Sequence, residues 1–569
     1  LIAEHSPPIA NHSPHPLWKP LFILLLTVSG FAVMGYHPGL EDDGVYLSAV
    51  KAELNPALFP HDADFVRLQV QATVFDEFMA GFVRITRLPV AWAELAVQFV
   101  SLYIILWAAC GIAQMLFPER RAQWAAVALL SAMFTLPVAG TGLYIADQHL
   151  HPRAIATALV LLAVESVLAG RRLLAAGMLL LGALQHPIMA AFGVSFCFFL
   201  RLGLHINMSS RIARRLAGFA FAAAPMRWVF EPPTPEWRRA LDTRSYCFLY
   251  RWTWYEWLGA IGPLVLFGWL WIQESERAQL SKAGFHIDVD AAAARSSRRK
   301  IWGTPPSRQK EGARMGHGSV VAGRSRLASL ALTVFIYGVF QQALAMILLA
   351  SPALVRVTPL QPMRYLHLEY VFLVLIAGGL IGRYVLGRKL WCWALFLAVS
   401  NGGMFLSQRL LLPASEHLEL PGRPPANPWL QAFAWIRENT PNDARFALDP
   451  NYLSARGEDY HSFRALAERS QLADALKDAA VVTQVPELAP RWAGQVDAQA
   501  GWNAFQPADF EHLKSRFGVD WVLASYPAPA RLTCIWHNDL LTVCRIAEPG
   551  RDEDPVFSSF LRREASYHN

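Results

Sequence analysis

A succession of membrane-length apolar runs separated by short basic or aromatic loops leaves this chain few ways to fold. The runs lie near 18–36, 90–117, 124–140, 154–169, 173–185, 187–202, 214–230, 257–272, 328–350, 366–386 and 390–411. In hydrocarbon the backbone has to satisfy its own polar groups, so such runs are read as helices. The pair 173–185 and 187–202 falls short of the ~20 residues a spanning helix needs. Gln185-His186-Pro187 interrupts it, so the pair reads either as two crossings or as a broken, re-entrant hairpin. Only 17% of residues are charged, against roughly 25% in soluble domains. The expected fold class is therefore an α-helical polytopic membrane protein with about 11 transmembrane helices and a C-terminal α/β soluble domain.

Basic residues set the orientation. Arg120-Arg121, Arg171-Arg172, Arg201–Arg215, the loop 273–327 and Arg388-Lys389 would all be cytosolic. The loops 37–88, 141–153, 227–256 and 351–365 carry acids, aromatics and His-Pro pairs and would face the other way. Eleven crossings then put the N-terminus inside and everything after about 412 outside. No small-residue cleavage site follows the first run, so a signal-anchor is expected. The net charge of +7 is accounted for by these loops and gives no reason to invoke nucleic acid. The loop 273–327 is rich in Gly, Ser and Arg, which reads as a disordered segment attracted to anionic lipid.

Residues 1–411 form the membrane part, and 412–427 a Pro-rich linker. Residues 428–550 read as an extracytoplasmic α/β domain, and 551–569 as a polar tail. Within the domain, helices are expected at Pro428–Asn439, Phe463–Leu476 and Asp509–Phe517, and strands at Arg445–Leu448 and Val519–Ala524. Thr533–Trp536 and Leu541–Arg545 should form a hairpin. Counting outward from its turn sets Cys534 opposite Cys544, and a cross-strand disulfide is expected on the oxidising side. Cys110, Cys197, Cys247 and Cys392 read as apolar filler. In the outer loop 37–89, apolar residues recur at helical spacing through 67–87, the pattern of a helix lying in the membrane interface.

The chemistry is expected at Glu41-Asp42-Asp43, just past the first run. Carboxylates beside hydrocarbon are costly to desolvate. They serve here either as a solvated helix N-terminus, favoured by the helix dipole, or as a general base or ligands of a divalent cation. Asp43 precedes Gly44, where the chain can turn sharply and bring the side chain close to a substrate. Asp147, His149, His151 and Arg153 lie on a second outer loop, where the two His either ligate a metal with Asp42, Asp43 or Asp147 or serve headgroup contact and loop structure. Arg251 and Trp254, in RWTWYEW, and Arg364 put cations and aromatics at the outer interface. They suit a phosphate and an isoprenoid or sugar, and equally an aromatic belt with snorkelling Arg.

An inside N-terminus, an acid-bearing first outer loop with an interfacial helix, about eleven spans and a C-terminal outer domain together resemble the C-type (GT-C) membrane glycosyltransferases. The stretches WIRENTPNDARF, FRALAERS and FGVDWVLA are also similar to uncharacterised bacterial multi-spanning proteins of this type. The resemblance implies a multi-pass enzyme of the bacterial inner membrane. It would move a sugar from a polyprenyl-phosphate donor to an extracytoplasmic lipid, glycan or protein acceptor, with membrane lipids as its other partners. The catalytic acid would be Asp42, Asp43 or, less favourably placed, Glu41. No cofactor is fixed; Mg or Mn on Asp42 and Asp43 is one option. There is no strict Asp-x-Asp, only consecutive acids. The competing class is a non-enzymatic transporter, lipid-handling protein or assembly subunit sharing the fold. A transporter would be expected to show an internal repeat and mid-span ionisable residues.

Overall fold

Helices occupy most of the expected runs in the computed structural model, which describes residues 18–205, 232–282 and 325–546 apart from 456, 458, 460 and 529–531. In order come α1 (Trp18–Met34), α2 (Asp43–Leu54), α3 (Ala63–Arg67), α4 (Phe75–Thr86), α5 (Val90–Leu116) and α6 (Arg120–Ala132). A two-stranded ribbon follows, β1 (Pro137–Val138) with β2 (Leu143–Tyr144), and then α7 (Pro152–Leu168), α8 (Arg172–Gln185) and α9 (Pro187–His205). Next are α10 (Pro235–Asp242), α11 (Trp254–Lys282), α12 (Arg326–Ala350), α13 (Leu366–Tyr384) and α14 (Leu390–Leu411).

Among the described residues, five helices are long and apolar enough to cross a membrane: Val90–Leu116, Trp254–Ala278, Arg326–Ala350, Pro362–Tyr384 and Leu390–Leu411. Trp18–Met34, Arg172–Gln185 and Pro187–Leu202 are apolar but shorter. The expected span 124–140 ends as a helix at Ala132 and turns into the ribbon. The run 214–230, the tail 551–569 and most of the loop 273–327 lie outside the described residues.

Small residues explain the tight centre of the bundle. A Cβ added to Gly378 or Gly382 of α13 would sit 2.7 Å from the Ala125 carbonyl oxygen or the Arg121 carbonyl oxygen of α6. Without a hydrophobic drive between helices in lipid, such close approach gives the van der Waals contact that holds them. At the opposite extreme α14 is largely uncovered, with Leu395, Val399, Leu406 and Leu410 exposed.

α8 and α9 form a hairpin broken at His186, which is extended. The His186 Nδ1 accepts from the Met189 N–H at 3.3 Å, so this ring caps an amide rather than a freed carbonyl. The outer-loop helix expected over 67–87 is broken at extended Thr73 into α3, a 3-10 turn and α4. α4 buries Phe75 and Met79 and leaves Phe78 and Ile85 exposed.

Beyond the bundle lie α15 (Pro428–Asn439), β3 (Arg445–Leu448), α16 (Phe463–Ala467), β4 (Ser470–Gln471), α17 (Lys477–Gln484), α18 (Ala489–Ala498), α19 (Pro507–Phe517), β5 (Trp521–Ser525), β6 (Thr533–His537) and β7 (Leu541–Arg545). The sheet order is β4-β3-β5-β7-β6, with β4, β3 and β5 parallel and β7 and β6 antiparallel. Alternation along the strands splits the core. Phe446, Trp521 and Leu523 face α15 and α16, while Ala447 and Val522 pack with Phe510 and Leu513 of α19.

The helix expected over 463–476 stops at Ala467, because Glu468 turns left-handed (φ 54°) and the chain enters the edge strand β4. The hairpin pairs Cys534 with Cys544, bonded and with a Cα separation of 3.8 Å, below the ~4.4–6.8 Å expected for disulfides. This region is not detached. α17 and α18 share a core with Phe65, Trp237, Leu241, Phe248 and Val355 of three segments that connect the long helices.

Candidate active site

The loops expected on one side of the membrane converge at one end of the bundle. His37 N–H donates to the Gln148 carbonyl (2.8 Å), and the Gln148 side chain returns to the Met34 carbonyl (2.6 Å). Gln98 of α5 and His367 of α13 grip the same loop through the carbonyls of Asp147 and Ile145. This cross-bracing fixes residues 141–153 beside the acids. A cavity of about 500 Å³ opens between them, lined by Glu41, Asp42, Asp147, His149, Arg153, Arg244 and Lys477, with Leu40, Leu411, Leu412 and Leu453 supplying apolar walls.

The three acids stand at the N-terminus of α2, where Asp42 is the cap residue and Asp43 opens the first turn. Helical rotation sends them apart. Asp43 turns inward, 2% exposed, and accepts the Gly39 N–H at 2.5 Å. Glu94 of α5 lies beside it, close enough for the two carboxyl groups to interact. Burial raises the Asp43 carboxyl, against the opposing pull of His149 and the Gly39 N–H. Asp42 keeps 37% of its side chain exposed, onto the cavity, and pairs with the Lys477 ammonium at 2.9 Å. Burial pushes Asp42 up too. Lys477, His151, Arg244 and Arg153 outweigh it and hold the carboxyl well below the usual range.

Glu41 is a second, looser partner of Lys477 at 3.6 Å, held in a left-handed conformation (φ 50°) that a non-glycine residue adopts at a cost. Gly44 does not serve a turn toward substrate. It is helical, and a Cβ there would meet Ser462 Cβ at 2.3 Å, so its role is close packing against the C-terminal region.

The other expected residues divide. Arg153 is buried and held by Asp147 through contacts of 2.7–3.1 Å, with its Nη1 left without a hydrogen-bond partner among the described residues. His149 lines the cavity, and neither of its ring nitrogens has such a partner. His151 lies 4.0 Å from Asp42 and accepts the Arg153 N–H at 2.9 Å as the cap of α7. Arg364 donates to Gln361 and is close enough to interact electrostatically with Arg153 and Asp42. Arg251 and Trp254 are not brought to the cavity. Arg251 pairs with Asp242 at 3.1 Å and covers the Phe248 ring, and Trp254 is 76% exposed.

The Asp42 and Asp43 carboxylates suit a divalent cation poorly, since one faces an ammonium and the other a backbone amide. Among the described residues the grouping of three His, Glu or Asp donors close enough to share an ion lies elsewhere, at His37, Glu419 and His461.

Of the cations opposite the acids, Arg244 is legible in sequence as an interface cation beside Arg251, though not as a cavity residue, whereas Lys477 was missed. Arg244 reaches the cavity with its Nη2 bonded to the Leu476 carbonyl (2.6 Å) and its Nε without a partner among the described residues. The one available signal was the short KD pair opening the region after FRALAERS.

Residues 427–485 match the model of a domain of unknown function, DUF6798. They run from the cap of α15 to just past α17 and so include Lys477. No curated protein matches the chain. Among solved structures it is similar to the Archaeoglobus fulgidus oligosaccharyltransferase in the apo form, at 10% identity and TM-score 0.37 over 90% of this chain and 70% of that one. The same enzyme with Zn and sulfate aligns at 11% and 0.38, over 89% and 67%. The archaeal oligosaccharyltransferase AglB with an inhibitory peptide and a dolichol-phosphate aligns at 12% and 0.37, over 89% and 69%. At such identities and TM-scores the likeness carries no argument about function.

Proposed function

We propose that this chain is a membrane glycosyltransferase that moves a sugar from a polyprenyl-phosphate donor to an acceptor hydroxyl or amide at the outer face of a bacterial inner membrane. The observation that carries the reading is the pairing of Asp42 with Lys477 in a cation-rimmed cavity, at the end of an apolar helical bundle where Leu411 and Leu412 continue the wall. Lys477, Arg244 and the spare Nη1 of Arg153 suit the donor phosphate. The exposed apolar face of α14 suits the prenyl chain.

A salt-bridged carboxylate is a weak base. As the donor phosphate draws Lys477 toward itself, Asp42 loses its main partner and gains basicity where the acceptor arrives. The acceptor atom then bonds to the anomeric carbon, whose bond to the phosphate oxygen breaks. The proton passes to Asp42, and the electron pair leaves with the phosphate, which the cations stabilise. No step here requires a metal. Asp43, turned inward, supports the turn that presents Asp42.

The topology that goes with this reading has eleven crossings and residues 413–569 outside; reporter fusions should place position 310 inside and position 460 outside. In nanodiscs containing polyprenyl-phosphate sugars the wild-type protein should release polyprenyl phosphate, and Asp42→Asn should be slower by ~10²–10⁴-fold. Full activity in Asp42→Asn, or no turnover of any such donor by the wild type, overturns the reading.

A further inference from the structure

Three segments distant in sequence meet at the exit of α1. Tyr36 N–H donates to the His417 carbonyl (3.0 Å), and Glu419 N–H donates back to the Tyr36 carbonyl (2.9 Å). Ser462 N–H donates to the Gly39 carbonyl (2.9 Å), and Leu40 bridges His461. These backbone contacts set His37, Glu419 and His461 side by side. The two imidazoles are 1% and 2% exposed, and the carboxylate 11%.

Glu419 Oε2 lies 2.9 Å from His461 Nε2 and 3.5 Å from His37 Nδ1. One donor atom from each residue falls within 4.8 Å of the others. Among the described residues His37 Nδ1, the atom that faces the carboxylate at 3.5 Å, has no hydrogen-bond partner. A plain hydrogen-bonded pair of Glu419 and His461 therefore leaves the buried His37 ring incompletely satisfied.

We propose that His37, Glu419 and His461 form a binding site for one transition-metal ion of the zinc class, clasping the end of α1, the linker and the C-terminal region together. Two imidazoles and one carboxylate are a familiar zinc donor set, with the fourth position left to water. Tetrahedral zinc at ~2.1 Å from each donor puts the donors about 3.4 Å apart, and the separations of 2.9 and 3.5 Å bracket that value. Mg and Ca prefer all-oxygen shells and fit the donors less well. The clasp anchors the turn that presents Glu41, Asp42 and Asp43, four residues beyond His37. It is independent of the transferase reading and does not involve the cavity acids.

The test is metal uptake by the untagged full-length protein in detergent, stripped with a chelator and titrated with Zn, and separately with Co as a spectroscopic probe. One ion per chain, a raised melting temperature and the visible absorption of tetrahedral Co are expected. Glu419→Gln and His461→Gln should each weaken uptake by about 100-fold or more, beyond the 10–100-fold seen for outer-shell partners. Asp42→Asn should bind as the wild type does. No uptake by the wild type overturns the proposal, and this holds even where a variant fails to fold. So does uptake that survives both substitutions, or uptake lost in Asp42→Asn, which would place the ion in the cavity.

Discussion

Lys477 and Asp478 are neighbours at the start of α17, yet they belong to different kinds of site. Both bear on the segment 37–89, Lys477 directly through Asp42 and Asp478 only through Arg464, which binds Asp62. Asp478 is closed off. It takes a bidentate contact from Arg464 at 2.7 and 3.0 Å, and the Asp474 N–H at 2.9 Å, while Arg464 also binds buried Asp62. Lys477 faces the cavity, with Asp42 in contact and Glu41 loosely held. The first cluster spends its charges on one another and ties the loop to the C-terminal region. The second keeps an acid and a base facing open space. Buried ion pairs are weak evidence for net stability, but removing one partner strands the other. Two adjacent residues thus separate holding the site together from acting in it.

The largest effect should follow from breaking the closed cluster. Arg464→Ala leaves Asp62 and Asp478 buried with their main cation gone and should destabilise the chain by ~3–5 kcal/mol, read as a lowered melting temperature and poor recovery from membranes. Asp42→Asn, by contrast, should slow transfer by ~10²–10⁴-fold with a smaller fall in melting temperature, since Glu41 stays beside Lys477 at the cavity. If the two variants behave alike, the division between the clusters is wrong.

A smaller and sharper effect concerns pH. Asp42 titrates below its ordinary range in the folded protein. Its ionisation therefore adds stability above pH ~4 that is lost as pH falls through the depressed value. For the same reason it should put no acid limb on the wild-type kcat/KM, which reports the donor-free enzyme, above pH ~4. Lys477→Met removes the strongest opposing charge, leaving burial to push the carboxyl up. The acid limb of kcat/KM should then move upward, held back only by His151, Arg244 and Arg153. An unmoved limb would mean that Lys477 does not set the basicity of Asp42.

How far the sequence foretold this is uneven, for physical reasons. α15 and β3 fall on the residues expected, Pro428–Asn439 and Arg445–Leu448, because α15 buries one face at the helical period and β3 is a short apolar run buried on both faces. The helix expected over 463–476 failed because tertiary demands outweighed periodicity. Arg464 has to reach Asp62 and Asp478, and the chain leaves the helix at Glu468 to add an edge strand. The acids were visible as a cluster. Which of them faces the cavity was not, since that depends on α2 starting at Asp43, and GVYLSAVK carries no strong amphipathic signal. Lys477, 435 positions from Asp42, is beyond any spacing argument.

The smallest expected effect tests the cations that looked equivalent in sequence. Arg251 and Arg153 both stand beside aromatic or His residues in loops expected on the same side, but of the two only Arg153 lines the cavity. Arg251 forms a partly exposed pair with Asp242, of the kind worth ~0–1 kcal/mol. Arg251→Ala should therefore change transfer by less than about two-fold and stability by less than ~1 kcal/mol. Its contact with the Phe248 ring, 4.5 Å from the guanidinium carbon to the ring centre, is the larger part of what is lost. Donor binding weakened ten-fold in Arg251→Ala would show that the phosphate sits outside the cavity, near the start of α11. Asp42 would then be too far from the reacting bond to serve as its base.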